Sequence, residues 1–383
     1  MKRNYNYLLK PSSEQARTID EWSESARLLY NFSLSDRRDS FKSGKSINYY
    51  DQARGLKNKK VDFPRYKNVQ SQVLQQTLLQ LDNAFKRFFK KQSKYPRFKA
   101  RDSVPSLCFP QLTKVVDDFV IFPKLGKVKV KLHRPIPNDA TIKQSRIIKE
   151  VDKYYVVLSL ELPEPTWSVP PVNVIGCDVG VKHLATLHDG TVIDGEQPLK
   201  RGLARLAKVQ KRFAKKKTGS NNRRKQKVRV QKIHRKISSR RKDFLHKISF
   251  KLAETYDAIV FEQMNLEFIN RNTDRRYMVS RKSYDIGIGT FRMFCEYKFA
   301  ERGKQVFHVN PKNTTKECSR CHRLVPKELS DRVHLCPFCG LKMDRDLNAA
   351  INIRNRVGQG LPNVKPVESE ASALAYAKVS FAR

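Results

Sequence analysis

Two Cys-x2-Cys pairs, Cys318/Cys321 and Cys336/Cys339, stand 14 residues apart in the last quarter of this 383-residue chain. Four thiolates at that spacing grip one tetrahedral Zn²⁺ from two tight turns, and Pro337 and Gly340 supply the turn chemistry. Such a shell leaves no open coordination position, so the ion holds shape and does no chemistry. Metal binding there is folding energy, of order 10–16 kcal/mol in zinc-finger peptides, so residues 311–340 are expected to depend on it. His322 and His334 lie close by but are not needed as ligands.

Directly after the knuckle, Met343-Asp-Arg-Asp-Leu-Asn-Ala-Ala-Ile-Asn-Ile353 reads as a helix with an acidic start. Two further carboxylates sit in apolar strand patterns: Asp178 after Val174 and Ile175, and Glu262 closing Ala258-Ile-Val-Phe261. A carboxylate on a buried strand costs several kcal/mol unless a cation or hydrogen bonds compensate. With Asp346 at the helix start, the set points to shared Mg²⁺, because hard cations prefer oxygen ligands. A pair of ions about 3.5–4 Å apart could serve both the attacking and the leaving oxygen of a phosphodiester. Each residue also has a plainer reading. Asp178 could be a strand-end turn residue, Asp346 could cap the helix, and Asp344 competes with Asp346 for the metal role.

Charge narrows the partner. Lys and Arg number 78 against 37 Asp and Glu, a formal net charge of +41. A folded chain with that self-repulsion works against a polyanion, which implies nucleic acid but not catalysis. Between Lys200 and Lys247 there are 21 Lys/Arg and one acid, Asp243. Leu203, Leu206, Phe213, Val230, Ile233, Ile237 and Phe244 recur through that stretch, predicting amphipathic helix interrupted at residues 218–222. Contacts to about 6–10 phosphates would cost roughly 10³–10⁵-fold in affinity between 50 and 200 mM salt. No secretory h-region and no run of 18 apolar residues occur, so the chain reads as soluble and cytoplasmic, with no membrane partner. Cys108, Cys177 and Cys295 read as small core residues.

The periodicity divides the chain. Residues 1–10 read as a strand. Helices are expected from Ser13 to about Leu34 and around Val73–Phe88, with a polar break at 35–46 and a separating stretch at 54–68. Short alternating runs at 119–122, 127–132, 141–143 and 154–160 predict a β-rich module, one strand carrying lysine at every second position. Residues 163–171, with four prolines, read as a linker. From Val172 the order is strand, hairpin about Asp189-Gly190, basic helix, strand at 257–262, helix at 290–302, strand at 305–309 and a final helix. That order fits an RNase H-like α/β domain with the zinc segment inserted. Residues 358–383 read as a tail without regular structure.

Taken together, Gly176-Cys-Asp-Val-Gly180, Leu184-Ala-Thr186, Arg241-Lys-Asp-Phe-Leu-His-Lys247, Phe261-Glu-Gln-Met-Asn-Leu266, the four-cysteine knuckle and Asp344-Arg-Asp-Leu-Asn-Ala-Ala-Ile-Asn-Ile353 resemble the TnpB family. These are transposon-encoded RNA-guided nucleases related to type V CRISPR effectors. The resemblance spans nearly the whole chain and is strongest from Val172 to Arg356. Two departures, His322 where the family has Gly and Cys177 where it has an aliphatic residue, remove no ligand. The resemblance implies an α/β multidomain protein. Residues 1–10 and 95–170 would form a β-barrel wedge domain, and 11–94 a helical recognition domain. Residues 172–310 and 341–357 would form a RuvC-like nuclease domain enclosing the zinc segment 311–340. It further implies Asp178, Glu262 and Asp346 as the catalytic triad holding two Mg²⁺. The partners would be a guide RNA from the transposon end and double-stranded DNA cut beside a short adjacent motif, with one protein on each RNA and no small-molecule substrate. The alternatives are a catalytically silent RNA/DNA-binding regulator and an RNase H-like transposase.

Overall fold

The computed structural model describes residues 1–101, 103–165, 171–195, 198–263, 286–328 and 331–358. The chain divides into two compact units, Met1–Glu164 and Pro165–Arg383. Most of the expected linker, Met264–Leu266 of the strand motif and the expected tail beyond 358 lie outside the described residues.

In the first unit β1 (Lys2–Lys10) leads into α1 (Ser13–Lys42). A capping box starts the helix: Ser12 accepts from the Gln15 amide while the Gln15 side chain accepts from the Ser12 amide, each at 3.1 Å. Ile19, Trp22, Ala26, Leu29, Tyr30 and Leu34 are buried as the spacing predicts, whereas Phe32 is exposed. The polar break expected at 35–46 begins only after Lys42. The helix runs on because Arg37 is buried, meeting Asp82 of α5 at 3.1 Å and Gln52 of the following short helix at 2.9 Å. The stretch expected to separate two helices is itself mostly helical, as α2 (Tyr49–Arg54), α3 (Leu56–Asp62) and α4 (Arg65–Asn68), anchored by buried Leu56 and Tyr66. α5 (Ser71–Phe89) buries Val73, Leu74, Thr77, Leu78, Leu81 and Phe85 along one face.

Six further strands complete a sheet: β2 (Leu107–Phe109), β3 (Lys114–Val116), β4 (Phe119–Phe122), β5 (Gly126–Lys131), β6 (Thr141–Glu150) and β7 (Lys153–Glu161). The seven strands run in the order β2-β6-β7-β1-β5-β4-β3, and every recorded pairing is antiparallel. On β5, Lys127, Lys129 and Lys131 are exposed while Val128 and Val130 are buried, so the alternating lysines form a solvent-facing cationic row. α1 and α5 share one hydrophobic core with the sheet, joining Trp22, Leu74 and Leu78 to Tyr7, Phe109, Phe122 and Val128.

The second unit is built on a five-stranded sheet of β8 (Val174–Val179), β9 (Ala185–Leu187), β10 (Val192–Ile193), β11 (Ala258–Glu262) and β12 (Gln305–Val309), in the order β10-β9-β8-β11-β12. β8, β11 and β12 are parallel, while β9 and β10 fold back as the expected hairpin. The basic stretch forms α6 (Pro198–Ala214) and α7 (Asn221–Thr255), and Ser220 caps α7 by accepting from the Arg223 amide at 3.1 Å. α8 (Ile288–Glu301) follows, then the hairpin β13 (Val333–Leu335) and β14 (Lys342–Asp344), and α9 (Arg345–Gly358).

Parallel strands covered on both faces read as continuous apolar runs, which is what β8 and β11 show. Ile175, Cys177, Ile259 and Phe261 pack toward Leu245, Leu252, Phe291 and Phe299 of α7 and α8. Val174, Ala258 and Val260 face the opposite way and meet Ile353 of α9. Gly176 lies on that second face, and a Cβ there would stand 2.3 Å from the Ala350 carbonyl oxygen and 2.7 Å from the Arg354 Cβ. Only glycine lets α9 lie this close to β8. Cys108, Cys177 and Cys295 are buried. Among the described residues no helix is long and apolar enough to cross a membrane.

Candidate metal centres and a cationic helical hairpin

The zinc segment brings its four cysteines together. The sulfurs of Cys318, Cys321, Cys336 and Cys339 all lie within 4.8 Å of one another. Cys318 and Cys339 are 3.6 Å apart, and Cys321 and Cys336 are 3.5 Å apart. Zn–S bonds of about 2.3 Å in a tetrahedron put sulfurs about 3.8 Å from each other. The four side chains therefore fit one zinc ion, and all are free thiols. Pro337 and Gly340 lie between β13 and β14, with Gly340 at φ +70° where a turn requires it. Val325, Leu341 and Met343 add a small apolar shell.

The carboxylate site is assembled at the C-terminal ends of parallel strands. The β8–β11 register pairs Val174 with Ala258 and Cys177 with Phe261, so Asp178 and Glu262 come next in line on neighbouring strands. Side chains alternate along a strand. Both carboxylates therefore point to the face that carries Val174, Gly176, Ala258 and Val260, the face covered by α9. Asp346 lies in the first turn of that helix. Burial, then the charges of Glu262 and Asp346, push the Asp178 carboxyl up from 3.8 to about 8, with the Arg345 guanidinium opposing them. Burial also raises Glu262, opposed by a hydrogen bond from the Thr314 hydroxyl and by Arg356. Among the described residues, the four cysteines are the one group of such ligands that closes to within 4.8 Å, so the carboxylates sit in a looser arrangement. A buried carboxyl whose ionisation is opposed by two neighbouring carboxylates fits divalent cations through its oxygen donors.

Asp344 and Asp346 separate by what their oxygens do. Asp344 Oδ1 accepts from the amides of Asp346 at 2.8 Å and Leu347 at 3.3 Å, the geometry of a helix N-cap. Asp346 does not cap the helix. Its Oδ1 accepts from Arg345 Nε at 3.2 Å and Nη2 at 3.1 Å.

Several residues around the site had no expected role from sequence. Thr314, buried in the zinc segment, donates its hydroxyl to Glu262 Oε1. Asn348 and Asn352 are buried on α9 and bind the backbone of that same segment. The signal for them was a pair of asparagines four residues apart on an otherwise apolar helix face, a placement that demands partners.

The basic stretch forms a helical hairpin. Gly202, Arg205 and Val209 of α6 face Arg229, Lys232, Ile233, Lys236, Ile237 and Arg240 of α7 across an open crevice of about 570 Å³. Its lining holds five cations and no acid, over a floor of isoleucine and valine. Gln226 and Arg223 join the two helices by donating to the carbonyls of Val209 and Phe213, each at 3.2 Å.

Likenesses to known proteins fall on these same elements. Residues 157–273 match the family described as "Probable transposase". Residues 289–353 match "Cas12f1-like, TNB domain", which takes in the zinc segment and the start of α9. Residues 1–46 match a "Helix-turn-helix domain", though in this chain they form one strand and one long helix. The chain is 29% identical over 366 residues to "Putative RNA-guided DNA endonuclease InsQ" of Escherichia coli (strain K12), covering 91% of this chain and 90% of that one. It is 31% identical over 370 residues to an RNA-guided DNA endonuclease, named with the same reservation, of Streptomyces pristinaespiralis, covering 92% and 89%. The fold resembles the protein in "Cryo-EM structure of the Cas12f1-sgRNA-target DNA complex", with a TM-score of 0.53, 14% identity and coverage of 92% and 98%.

Proposed function

This chain belongs to the TnpB family, and from that premise we propose that it is an RNA-guided DNA endonuclease of a transposon. Its nuclease centre is Asp178, Glu262 and Asp346. The observation that carries the reading is that Asp178 and Glu262 lie on the α9-covered face of one sheet with Asp346 in the first turn of α9, where Glu262 and Asp346, both remote in sequence, raise the proton affinity of Asp178. The strand order β10-β9-β8-β11-β12, a hairpin followed by two parallel strands, supports an RNase H-like, RuvC-type domain over 172–310 and 341–357, with the zinc segment 311–340 inserted. In this reading, residues 1–10 and 95–170 serve as the wedge and 11–94 as the recognition helices.

Two Mg²⁺ bound by the carboxylates would supply an activated water and stabilise the departing 3′ oxygen. The protein's own residues set the conditions for that. Asp178 and Glu262 are held on rigid neighbouring strands, and Asp346 is carried by a helix locked to β8 through Gly176. Arg345 holds Asp346 from one side, while Asp344 is engaged as the helix cap. The α6–α7 crevice, lined by five cations and no acid, and the exposed β5 lysine row offer positive charge to phosphates, which suits a guide RNA and a double-stranded DNA target. One protein per RNA is the expected stoichiometry, and the DNA is cut beside a short adjacent motif.

The test uses protein purified with its co-purifying RNA. Asp178→Ala should lower Mg²⁺-dependent DNA cleavage by about 10³-fold or more while guide-dependent DNA binding persists. Loss of both together would make Asp178 a structural residue. Strand-transfer products in place of cleaved ends would indicate a transposase, the activity that the match over 157–273 is named for.

A further inference from the structure

A side chain of the zinc segment, Thr314, reaches the carboxylate site, and α9 fastens that segment along one face. Asn348, Asn352 and Arg356 are spaced four apart on α9, so they lie above one another. Asn348 donates to the Glu317 carbonyl at 2.8 Å and accepts from the Ser319 amide at 3.0 Å. Asn352 donates to the carbonyls of Thr314 at 2.9 Å and Glu317 at 2.7 Å. Arg356 donates to the Lys312 carbonyl at 2.8 Å and the Glu317 carboxylate at 2.9 Å. The segment held in this way ends in Cys318, the first zinc ligand. Thr314 lies in its middle, 3% exposed, with its hydroxyl on Glu262 Oε1.

We infer that Thr314 is a positioning residue for Glu262: the zinc-stapled segment, clamped to α9 by Asn348, Asn352 and Arg356, aims this carboxylate at the divalent-metal site. The inference rests on the reading of Glu262 as a metal ligand. Glu262 is the last residue of its strand. A carboxylate at a strand end can swing, and a hydroxyl donated to one oxygen leaves the other free for a cation. The Pro311 carbonyl, 3.2 Å from the same hydroxyl, is a competing acceptor. A hydroxyl proton serves one acceptor at a time, and the carboxylate is both the nearer and the charged one. The same helix thus carries Asp346 and holds the group that orients Glu262. The separation between the structural ion and the reacting centre is then one short run of chain, Thr314 to Cys318.

The experiment measures Mn²⁺ binding by electron paramagnetic resonance on the full-length, zinc-loaded protein, without RNA or DNA, so that it does not depend on cleavage. Thr314→Val keeps the shape and removes the hydroxyl. It should weaken Mn²⁺ binding about tenfold or more, the usual scale for a residue that orients a ligand, with zinc content unchanged at one ion per chain. Thr314→Ser should bring the affinity back to within about twofold of the parent protein, which a purely packing role for the threonine methyl would not do. Wild-type Mn²⁺ affinity in Thr314→Val, with Glu262→Gln impaired, overturns the inference and leaves the metal-site reading standing. Wild-type affinity in both variants overturns the two together. Failure of Thr314→Ser to restore binding also overturns it.

Discussion

The four-cysteine cluster and the proposed carboxylate site of the second unit are built on opposite plans. The four-cysteine site takes its sulfurs from two short turns within 22 residues, all within 4.8 Å of one another. The carboxylate site takes its ligands from β8, β11 and α9, spread over 169 positions from Asp178 to Asp346, and leaves them apart. The first is a local chelate whose energy folds the segment that makes it. The second can form only after a sheet and a covering helix are in place, and there the charges of Glu262 and Asp346 oppose the ionisation of Asp178. A closed soft-ligand shell holds structure, and an open hard-ligand cluster is poised for chemistry.

That contrast is sharpest if the two sites respond to different insults. Zinc removal should have the largest effect, since binding energy of about 10–16 kcal/mol is at stake. Hydrogen exchange should show residues 311–340 losing protection while β8 and β11 keep theirs. Equal loss in the sheet would mean that the two centres are one folding unit. Next comes Gly176→Ala, whose methyl meets the α9 backbone at 2.3 Å. Overpacking of this kind costs about 1–3 kcal/mol, read as a shifted denaturation midpoint, and it should impair cleavage by displacing Asp346 while leaving zinc bound.

A pH series tests the open site by itself. The folded chain keeps a proton on Asp178 up to about pH 8, whereas the unfolded chain releases it near 3.8. Between those values the folded state binds more protons, so stability in magnesium-free buffer should be fully present at the acid end and fall as pH rises through the window. Asp178→Asn should flatten that slope. Mg²⁺, which binds the charged form, should oppose it. The smallest effect belongs to Asp344→Ala, a lost helix cap worth about 1 kcal/mol, with cleavage retained. Abolition of cleavage by Asp344→Ala would make Asp344 the metal ligand and leave Asp346 outside the centre.

Much of this was legible residue by residue. The β8, β11 and β12 runs, the interruption before α7 and the buried face of α5 follow from period and composition, because each element must bury its own apolar side. The extension of α1 through residue 42 was not legible. Its last turns are polar, and their burial depends on Arg37 meeting Asp82 and Gln52, partners from other helices. The helices at 49–68 were missed for a related reason: among the described residues their buried apolar anchors are Leu56 and Tyr66, too few to set a period. Asn348 and Asn352 were visible in the sequence, but their carbonyl partners were not.

The sequence by itself determined the zinc site, the cationic helical hairpin and which carboxylates stood in apolar surroundings, because each of these is a matter of neighbours along the chain. The tertiary structure decided that Asp178 and Glu262 share a face, that Asp344 caps α9 while Asp346 pairs with Arg345, and that Thr314 reaches Glu262. Those relations depend on strand register, on the close approach of α9 at Gly176 and on which hydrogen-bond partners a fold brings within about 3 Å. Spacing along one chain carries no record of such distances.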